Sequence, residues 1–317
     1  MKVLCISESD DAHLPFVQKH LDEEIVIFDP GKFPFKTDIS YKWNACRFDV
    51  FSDGRLLSDC DAVWYRKPQM LEPKDLPVDE MYREYAFSAY QKTIQALYSL
   101  LQDKIWVSDY WSIIRGSNKL LQAEIAHKLG LCVPRTLVTS VAIEAEAFIR
   151  REGQVVVKMM GTHHVYDGEA SHVFYTAPVG VEDIPNLNLE GLPVAPSIFQ
   201  QRIEKAYDIR LTVVGDQAFP CSIKQRGLYA NDVDWRTGIF DADALVYEPC
   251  EMPTCIIESC KLMLRLMNLR YGAFDFVVDP SGNYWFVEVN PNGQWAFVEE
   301  EAGIEISRAF PQVFAGN

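Results

Sequence analysis

The chain has 317 residues, of which 48% are hydrophobic, 12% aromatic and 24% charged. This composition excludes a disordered or fibrous chain, and the length suits two or three packed subdomains. Its 30 Lys and Arg against 45 Asp and Glu give a formal net charge of −15. We expect neither nucleic acid nor a membrane as a partner, because both surfaces are negatively charged.

The eight cysteines include no C-x-x-C pair and are too sparse for a disulfide scaffold, so we expect buried thiols. The N-terminal segment turns acidic after one short apolar run, which does not make a signal-peptide core. No later stretch has the roughly 18 uninterrupted apolar residues of a membrane span. These features predict a cytoplasmic protein.

The first third of the chain, 1–108, predicts a small α/β unit. Strands are expected at 2–7, 24–28 and 62–65, with a helix at 14–22 between the first two. The clearest helix spans 78–102, where apolar residues recur at helical spacing after Pro77.

A second unit is predicted at 109–196. Its helix at 119–129 ends before Gly130, a residue typical of helix C-termini. A strand at 155–158 leads into a loop bracketed by glycines, and the proline-rich stretch 178–196 indicates a connector.

The last unit, 197–317, is rich in strands. We expect them at 197–203, 209–214, 218–224, 274–278 and 284–289. A helix is predicted at 255–267, and 278–283 has the composition of a hairpin turn between the last two strands. The fold class is therefore α/β (α+β).

Polar residues interrupt the last two apolar strands. Glu288 and Asn290 are two apart, so their side chains share one face, and a hairpin brings Asp275 across to it. Carboxylate and amide oxygens are the ligands that Mg²⁺ prefers, which makes these three residues a candidate metal site. The alternative is that Asp275 pairs with an arginine and that the Asn-Pro-Asn-Gly segment is only a turn.

Basic residues in four places offer charge for phosphates or carboxylates. Lys119 begins a helix, and Lys158 precedes the glycine-bracketed loop, where either side chain suits phosphate oxygens unless it is simply a solvated charge. Arg210 shares a strand face with Asp208, where a mutual salt bridge is the alternative, and Arg236 repeats the arrangement in Asp234-Trp235-Arg236.

Three histidines lie in or just after the glycine-bracketed loop: His163, His164 and His172. These histidines have either a catalytic or metal-binding role or, as the alternative, are ordinary polar residues of a loop. No Walker sequence is present, which disfavours a P-loop NTPase.

At this point a set of motifs in fixed order resembles the ATP-grasp ligases, and most closely the graspetide (microviridin-type) peptide-crosslinking subgroup with its N-terminal pre-ATP-grasp domain. The motifs are Trp64-Tyr65-Arg66-Lys67-Pro68, Ser117-Asn118-Lys119, Gly130-Leu131-Cys132-Val133-Pro134-Arg135-Thr136, Val157-Lys158, Asp208-x-Arg210, Asp234-Trp235-Arg236, Tyr271-Gly272-Ala273-Phe274-Asp275 and Phe286-Val287-Glu288-Val289-Asn290-Pro291-Asn292-Gly293-Gln294-Trp295. The resemblance covers nearly the whole chain.

The resemblance implies an enzyme that uses ATP and Mg²⁺ to activate a carboxylate as an acyl phosphate and joins it to a hydroxyl or an amine. It implies the following roles: Lys119 and Lys158 on the ATP phosphates, Gln201, Arg202 and Ile203 in the hinge that reads adenine, Asp275, Glu288 and Asn290 on Mg²⁺, Arg210 on the acyl phosphate, and Asp208 and Arg236 beside the substrate. It also implies a precursor peptide or small carboxylate as substrate, and a homodimer.

Two positions depart from the family pattern. Gln201 replaces the usual hinge glutamate, and Lys67 stands where the subgroup commonly has a second arginine. The segment after Arg236 lacks the asparagine expected in a ribosomal-protein glutamate ligase, which favours peptide crosslinking. An amino-acid ligase acting on a protein tail or small molecule, and an inactive peptide-binding protein on the same scaffold, are the alternatives.

Overall fold

The structure is a computed structural model that describes residues 1–161, 164–166, 171–173, 175–230, 232–241 and 243–316. The segments 164–166 and 171–173 are described by their backbone alone. Helices and strands alternate through these ranges, which confirms the mixed α/β expectation. Within the described residues, no helix has the length and apolar character needed to cross a membrane.

The first unit is built on a four-stranded parallel sheet. Its strands, in spatial order, are Val26–Phe28, Val3–Ile6, Ala62–Tyr65 and Ile105–Val107. The two central strands are short apolar runs with every residue buried, as is typical of a parallel sheet covered on both faces. The helices Leu14–Gln18 and Glu80–Leu100 belong to this unit, and both are shorter than predicted.

A small antiparallel sheet in the first unit was not predicted. It consists of Ser40–Trp43, Phe48–Ser52 and Arg55–Leu56. These strands are short, and most of their residues are exposed or half-buried, so they lack the buried apolar pattern from which strands are inferred.

The central sheet has four antiparallel strands. They are, in spatial order, Ala177–Gly180, Gln154–Met159, Ser197–Gln201 and Thr136–Thr139. The helix Ala142–Glu152 covers the sheet through Phe148 and Ile149. The predicted connector is therefore partly regular, because it begins with a strand and continues as the 3-10 helices Val181–Asn186 and Leu189–Gly191.

The predicted border at residue 196 runs through this sheet. Ser197–Gln201 pairs with strands on both sides, so we propose that the central unit extends to Gln201. A separate two-stranded antiparallel pair is formed by His164–Tyr166 and Ser171–Val173.

The C-terminal sheet has five antiparallel strands. They are, in spatial order, Leu245–Pro249, Gln217–Gln225, Tyr207–Val214, Tyr271–Val278 and Tyr284–Asn290. The hairpin between the last two is confirmed, with Asp279 accepting bonds from the turn amides and Gly282 at φ +83°.

Among the described residues, six α-helices lie outside the first unit, and three of them contact the C-terminal sheet, Ala296–Ala302 doing so at the strand Leu245–Pro249. The six helices are Tyr110–Gly116, Lys119–Lys128, Ala142–Glu152, Thr254–Leu266, Ala296–Ala302 and Phe310–Phe314. Lys119–Lys128 contacts the last strand, and Thr254–Leu266 contacts the strand beside it. Side chains of the first sheet and of the C-terminal sheet share one buried cluster that includes Leu4 and Phe274, so these two units are packed together.

Gln122 fixes the helix Lys119–Lys128 to the last strand. Its buried amide nitrogen donates to the carbonyl oxygens of Gly116 and Val289 at 2.6 and 2.7 Å, and its amide oxygen accepts from the Val289 backbone nitrogen at 3.1 Å. This side chain therefore supplies buried hydrogen bonds to backbone groups of two different elements.

We predict that Gln122→Leu lowers the free energy of unfolding by about 2–4 kcal/mol, because it leaves several buried polar groups without partners. Urea denaturation of the whole chain measures the change. Gln91→Leu makes the same replacement at an exposed helix position and should change stability by less than about 0.5 kcal/mol. Equal effects of the two substitutions would contradict the assignment.

Candidate functional site

A cleft of about 480 Å³ lies between the central sheet and the C-terminal sheet. Of the eleven site residues predicted from the sequence, nine line it: Lys119, Lys158, Gln201, Arg202, Ile203, Asp208, Arg236, Asp275 and Glu288. Arg210 and Asn290 do not line the cleft, but each is on a strand next to lining residues. The structure thus brings together residues that are far apart in the sequence.

Asp275 and Glu288 form the acidic side of the cleft. They pair directly across the last two strands, next to an irregularity in the strand pairing. Burial raises the pKa of Asp275, and the neighbouring Glu288 raises it further. Burial acts in the same direction on Glu288, but Lys119 and Lys158 outweigh it and lower its pKa to about 2. Two adjacent carboxylates of this kind attract a cation.

The third candidate metal ligand is placed differently. Asn290 pairs across the strands with Ala273, and its side-chain oxygen accepts a hydrogen bond from the backbone nitrogen of Asn292 at 3.0 Å. Two carboxylates with an amide oxygen two residues along the strand from Glu288 make an all-oxygen donor set, which fits Mg²⁺.

Lys119 is positioned by the start of its helix. The Asn118 side chain accepts hydrogen bonds from the backbone nitrogens of Leu120 and Leu121, both at 3.0 Å, and so caps the helix. The Lys119 ammonium then lies 2.6 Å from a carboxylate oxygen of Glu288. The predicted phosphate-binding and metal-binding groups are therefore in direct contact.

Lys158 faces the same space from the central sheet. Burial lowers its pKa to about 8, although Glu288 opposes the effect. Its ammonium donates to the side-chain oxygen of Gln200 at 2.8 Å, and Gln200 donates to the hydroxyl of Thr136 at 3.0 Å. Gln200 was not identified from the sequence as the residue that positions Lys158. The one indication of this role in the sequence is that a polar residue stands inside a predicted strand.

The segment 201–203, for which the resemblance implies a hinge role, lines the cleft at the end of a central strand. The Gln201 backbone nitrogen donates to the Arg135 carbonyl at 2.8 Å, and that of Arg202 donates to the Gln154 carbonyl at 3.2 Å. The hinge is thus tied to the strands on both sides of it.

The expected alternative of a salt bridge between Asp208 and Arg210 is wrong. Arg210 donates through one terminal nitrogen to both carboxylate oxygens of Asp275, at 2.7 and 2.8 Å. The Arg210 Nε is buried and has no hydrogen-bond partner among the described residues. Asp208 instead accepts from Lys205 at 2.9 Å, and burial raises its pKa to about 6 against the effect of Lys205.

Arg236 and Asp234 form the pair that the sequence suggests. The guanidinium donates through two nitrogens to the two carboxylate oxygens, at 2.8 and 2.7 Å. Asp234 also accepts from the backbone nitrogen of Thr176 at 3.3 Å, so it links the segment 232–236 to the central unit.

The three histidines receive no side-chain description. His163 lies outside the described residues, and His164 and His172 are placed only by backbone pairing with Val173 and Val165. Their role stays an open prediction.

Comparison with solved structures finds whole-chain matches. A RiPP-associated ATP-grasp ligase from Chryseobacterium gregarium, in complex with ADP and a leader and core peptide, has 26% identity and a TM-score of 0.88, over 99% of this chain and 96% of that chain. The macrocyclase MdnC from Microcystis aeruginosa MRC, bound with precursor peptide MdnA, has 25% identity and a TM-score of 0.84, over 100% of both chains.

The macrocyclase MdnB from the same organism has 25% identity and a TM-score of 0.79, over 100% of this chain and 99% of that chain. A scan against protein-family models finds no match, and a search of curated proteins finds none. The resemblance inferred from the ordered motifs is nevertheless confirmed by structure. Along its whole length, the chain has the fold of the RiPP-associated ATP-grasp ligases.

Proposed function

We propose that this chain is an ATP- and Mg²⁺-dependent ligase that forms ester or amide crosslinks between side chains of a ribosomally made precursor peptide. The observation that carries the proposal is the cleft, where Lys119 and Lys158 meet Asp275 and Glu288 in a chain that matches peptide-bound ligases over its full length. ATP is available in the cytoplasm, which is where we place the reaction.

In this proposal Lys119 and Lys158 donate hydrogen bonds to phosphate oxygens, and the hinge at 201–203 contacts the adenine. Asp275, Glu288 and Asn290 hold Mg²⁺, which when bound neutralises charge on the phosphates. The contact between Lys119 and Glu288 supports this assignment, because a phosphate-binding cation and a metal ligand must be neighbours in such a site.

The reaction has two steps. A peptide carboxylate attacks the terminal phosphorus of ATP, which gives an acyl phosphate and releases ADP. A hydroxyl or an amine then attacks the acyl carbon, loses its proton, and displaces inorganic phosphate. We assign Arg210 to stabilise the negative charge of the acyl phosphate and Arg236 to bind the substrate carboxylate, since a positioned guanidinium stabilises such oxygens. Asp208 and Arg236 both line the cleft, and Arg210 lies two residues from Asp208 on the same strand.

We predict that Glu288→Gln lowers the rate of crosslinking by about 100-fold or more, because it removes one metal-binding carboxylate. Mass spectrometry of the short precursor peptide encoded beside the gene measures the reaction as the loss of one water per crosslink. Glu248→Gln, at an exposed carboxylate paired with Lys224, is the matched control and should retain activity.

Retained crosslinking by folded Glu288→Gln would contradict the metal assignment. A gain of peptide mass in the wild type would instead identify an amino-acid ligase, and peptide binding without ADP release would identify an inactive relative.

Exposed apolar residues beside the cleft support a peptide substrate. Leu228 and Phe240 are 96% and 88% exposed, and they flank the segment 232–236 that lines the cleft. Apolar side chains exposed next to a site commonly bind a partner.

Replacing both with Asp (Leu228→Asp with Phe240→Asp) should raise KM for the peptide by about tenfold or more and leave KM for ATP unchanged, since the change removes apolar contact outside the nucleotide-binding residues. Steady-state kinetics measure both constants. Val194→Asp, at another exposed apolar position, is the control. An unchanged KM for the peptide would show that this surface is not used.

We further propose a homodimer formed through the N-terminal end of the helix Glu80–Leu100. Met81 and Tyr85 lie one helical turn apart on this helix and are each 78% exposed, with Tyr82 exposed between them. An apolar patch of this kind on a helix end suits association with a second copy.

Light scattering of the purified wild-type chain should give twice the mass of one chain. The double variant Met81→Asp with Tyr85→Asp should give the mass of one chain, because the introduced charges oppose burial of the patch. A monomeric wild type, or a dimer that survives both substitutions, would contradict this interface.

A further inference from the structure

The first unit contacts the loop that follows the candidate metal ligand Asn290. This loop, 291–295, separates the last strand from the helix Ala296–Ala302. The Gln294 carbonyl accepts a hydrogen bond from Arg210 at 3.1 Å, and the Gly293 carbonyl accepts one from the Tyr271 hydroxyl at 2.7 Å. The loop is therefore connected at one end to Asn290 and in its middle to Arg210.

There is little room for the loop to shift toward the sheet. A Cβ atom on Gly293 would lie 2.4 Å from the Cβ of Ala273 and 3.2 Å from a terminal nitrogen of Arg210. The backbone thus approaches the strand closely, which only glycine permits. If the loop moved toward the strand it would displace Arg210, and if it moved away it would break the close contact between Gly293 and Ala273.

Arg66 of the first unit also contacts this loop. It is almost completely buried, its Nη1 lies 3.4 Å from the Gly293 carbonyl oxygen, and its own carbonyl accepts from the Asn292 side chain at 3.1 Å. Its Nε also lies 3.3 Å from a carboxylate oxygen of Asp11.

His13 holds the far end of the loop. The Trp295 backbone nitrogen donates to Nε2 of His13 at 3.0 Å, and the two rings meet edge to face with centroids 4.8 Å apart. A backbone nitrogen can only donate, so Nε2 accepts and the ring proton is on Nδ1. Nδ1 lies 2.8 Å from a carboxylate oxygen of Asp11, to which it donates, and 3.0 Å from Nη2 of Arg66. His13 and Trp295 are both buried.

The surroundings keep His13 in this neutral form. Burial lowers its pKa, and the neighbouring Arg66 lowers it further, against the opposing effect of Asp11. For Asp11, burial would raise the pKa, but His13 and Arg66 outweigh it and lower the pKa. The carboxylate thus selects the tautomer that accepts from Trp295, as carboxylates do for histidines in other sites.

We propose that His13, oriented by Asp11, is a positioning residue of the ligase: it acts through Trp295 and the loop 291–295 to hold Arg210 and Asn290 in place for the transfer steps. This rests on the proposed function, since those two residues take their roles from it. The first unit would then contribute to the rate of reaction through this contact, without touching the substrates.

Hydrogen exchange tests the positioning directly, and kinetics test its consequence. In His13→Leu we expect faster amide exchange in 291–297 and a fall in kcat of about 10- to 100-fold, since small displacements of catalytic groups have effects of that size. KM for the peptide should stay within about threefold of wild type, because the exposed apolar residues proposed to contact it are unchanged. His13→Gln, whose amide can still accept from Trp295, should recover most of the kcat and the slow exchange.

Ile94→Val is the control, because it reduces packing in the first unit at a buried position of another helix. It should leave kcat and the exchange of 291–297 unchanged. Unchanged exchange in His13→Leu, or an equal fall in kcat in Ile94→Val, would overturn the proposal. If His13→Leu does not fold, His13→Ala replaces it, with faster exchange of 291–297 expected in His13→Ala and not in His13→Gln; equal exchange in these two variants would overturn the proposal. A wild type that forms no crosslinks would refute the proposed function, and the exchange measurement would still decide whether His13 holds the loop.

Discussion

Asp275 and Glu288 lie opposite each other on the last two strands of the C-terminal sheet, and the rest of the cleft is arranged around their charge. Two carboxylates held side by side repel each other unless cations neutralise them. Arg210 binds Asp275 and Lys119 binds Glu288, and each of these cations is itself fixed by surrounding structure. The two carboxylates must be neutralised, and three elements serve this requirement. They are the hairpin that pairs the carboxylates, the capped helix that begins with Lys119, and the loop whose carbonyl accepts from Arg210.

In the proposed function, this arrangement explains how a chain with a net charge of −15 would bind a polyanionic nucleotide. Its positive charge is local, because Lys119, Lys158 and Arg236 line one cleft and Arg210 lies directly behind it. The field that a bound nucleotide experiences is set by these neighbouring groups and not by the distant surface, where ions in solution screen the acidic residues.

The sequence predicts the residues of the cleft better than it predicts their contacts. The side-chain period of a strand and one hairpin turn were enough to place Asp275, Glu288 and Asn290 on neighbouring strands, because those relations are local. The partner of Arg210 was not predictable in this way, since Asp275 and Asp208 are both available and only the strand register selects Asp275. Gln122, Gln200 and His13 were missed for the same reason: each acts through contacts between elements far apart in the chain.

The limits of the units show a similar pattern. Strand positions were predicted closely where apolar runs are buried, as at Ala62–Tyr65, whereas the exposed three-stranded sheet gave no signal. Ser197–Gln201 was predicted as a strand, but its membership of the central sheet depends on pairing with Gln154–Met159, which no local pattern reveals.

In the proposed function, each crosslink consumes one ATP in this cleft. This stoichiometry is tested most directly by measuring ADP release and the peptide mass in the same reaction of the wild-type chain with its neighbouring precursor peptide. We expect one ADP for every water lost from the peptide. ADP release without water loss, or water loss without ADP release, would contradict it.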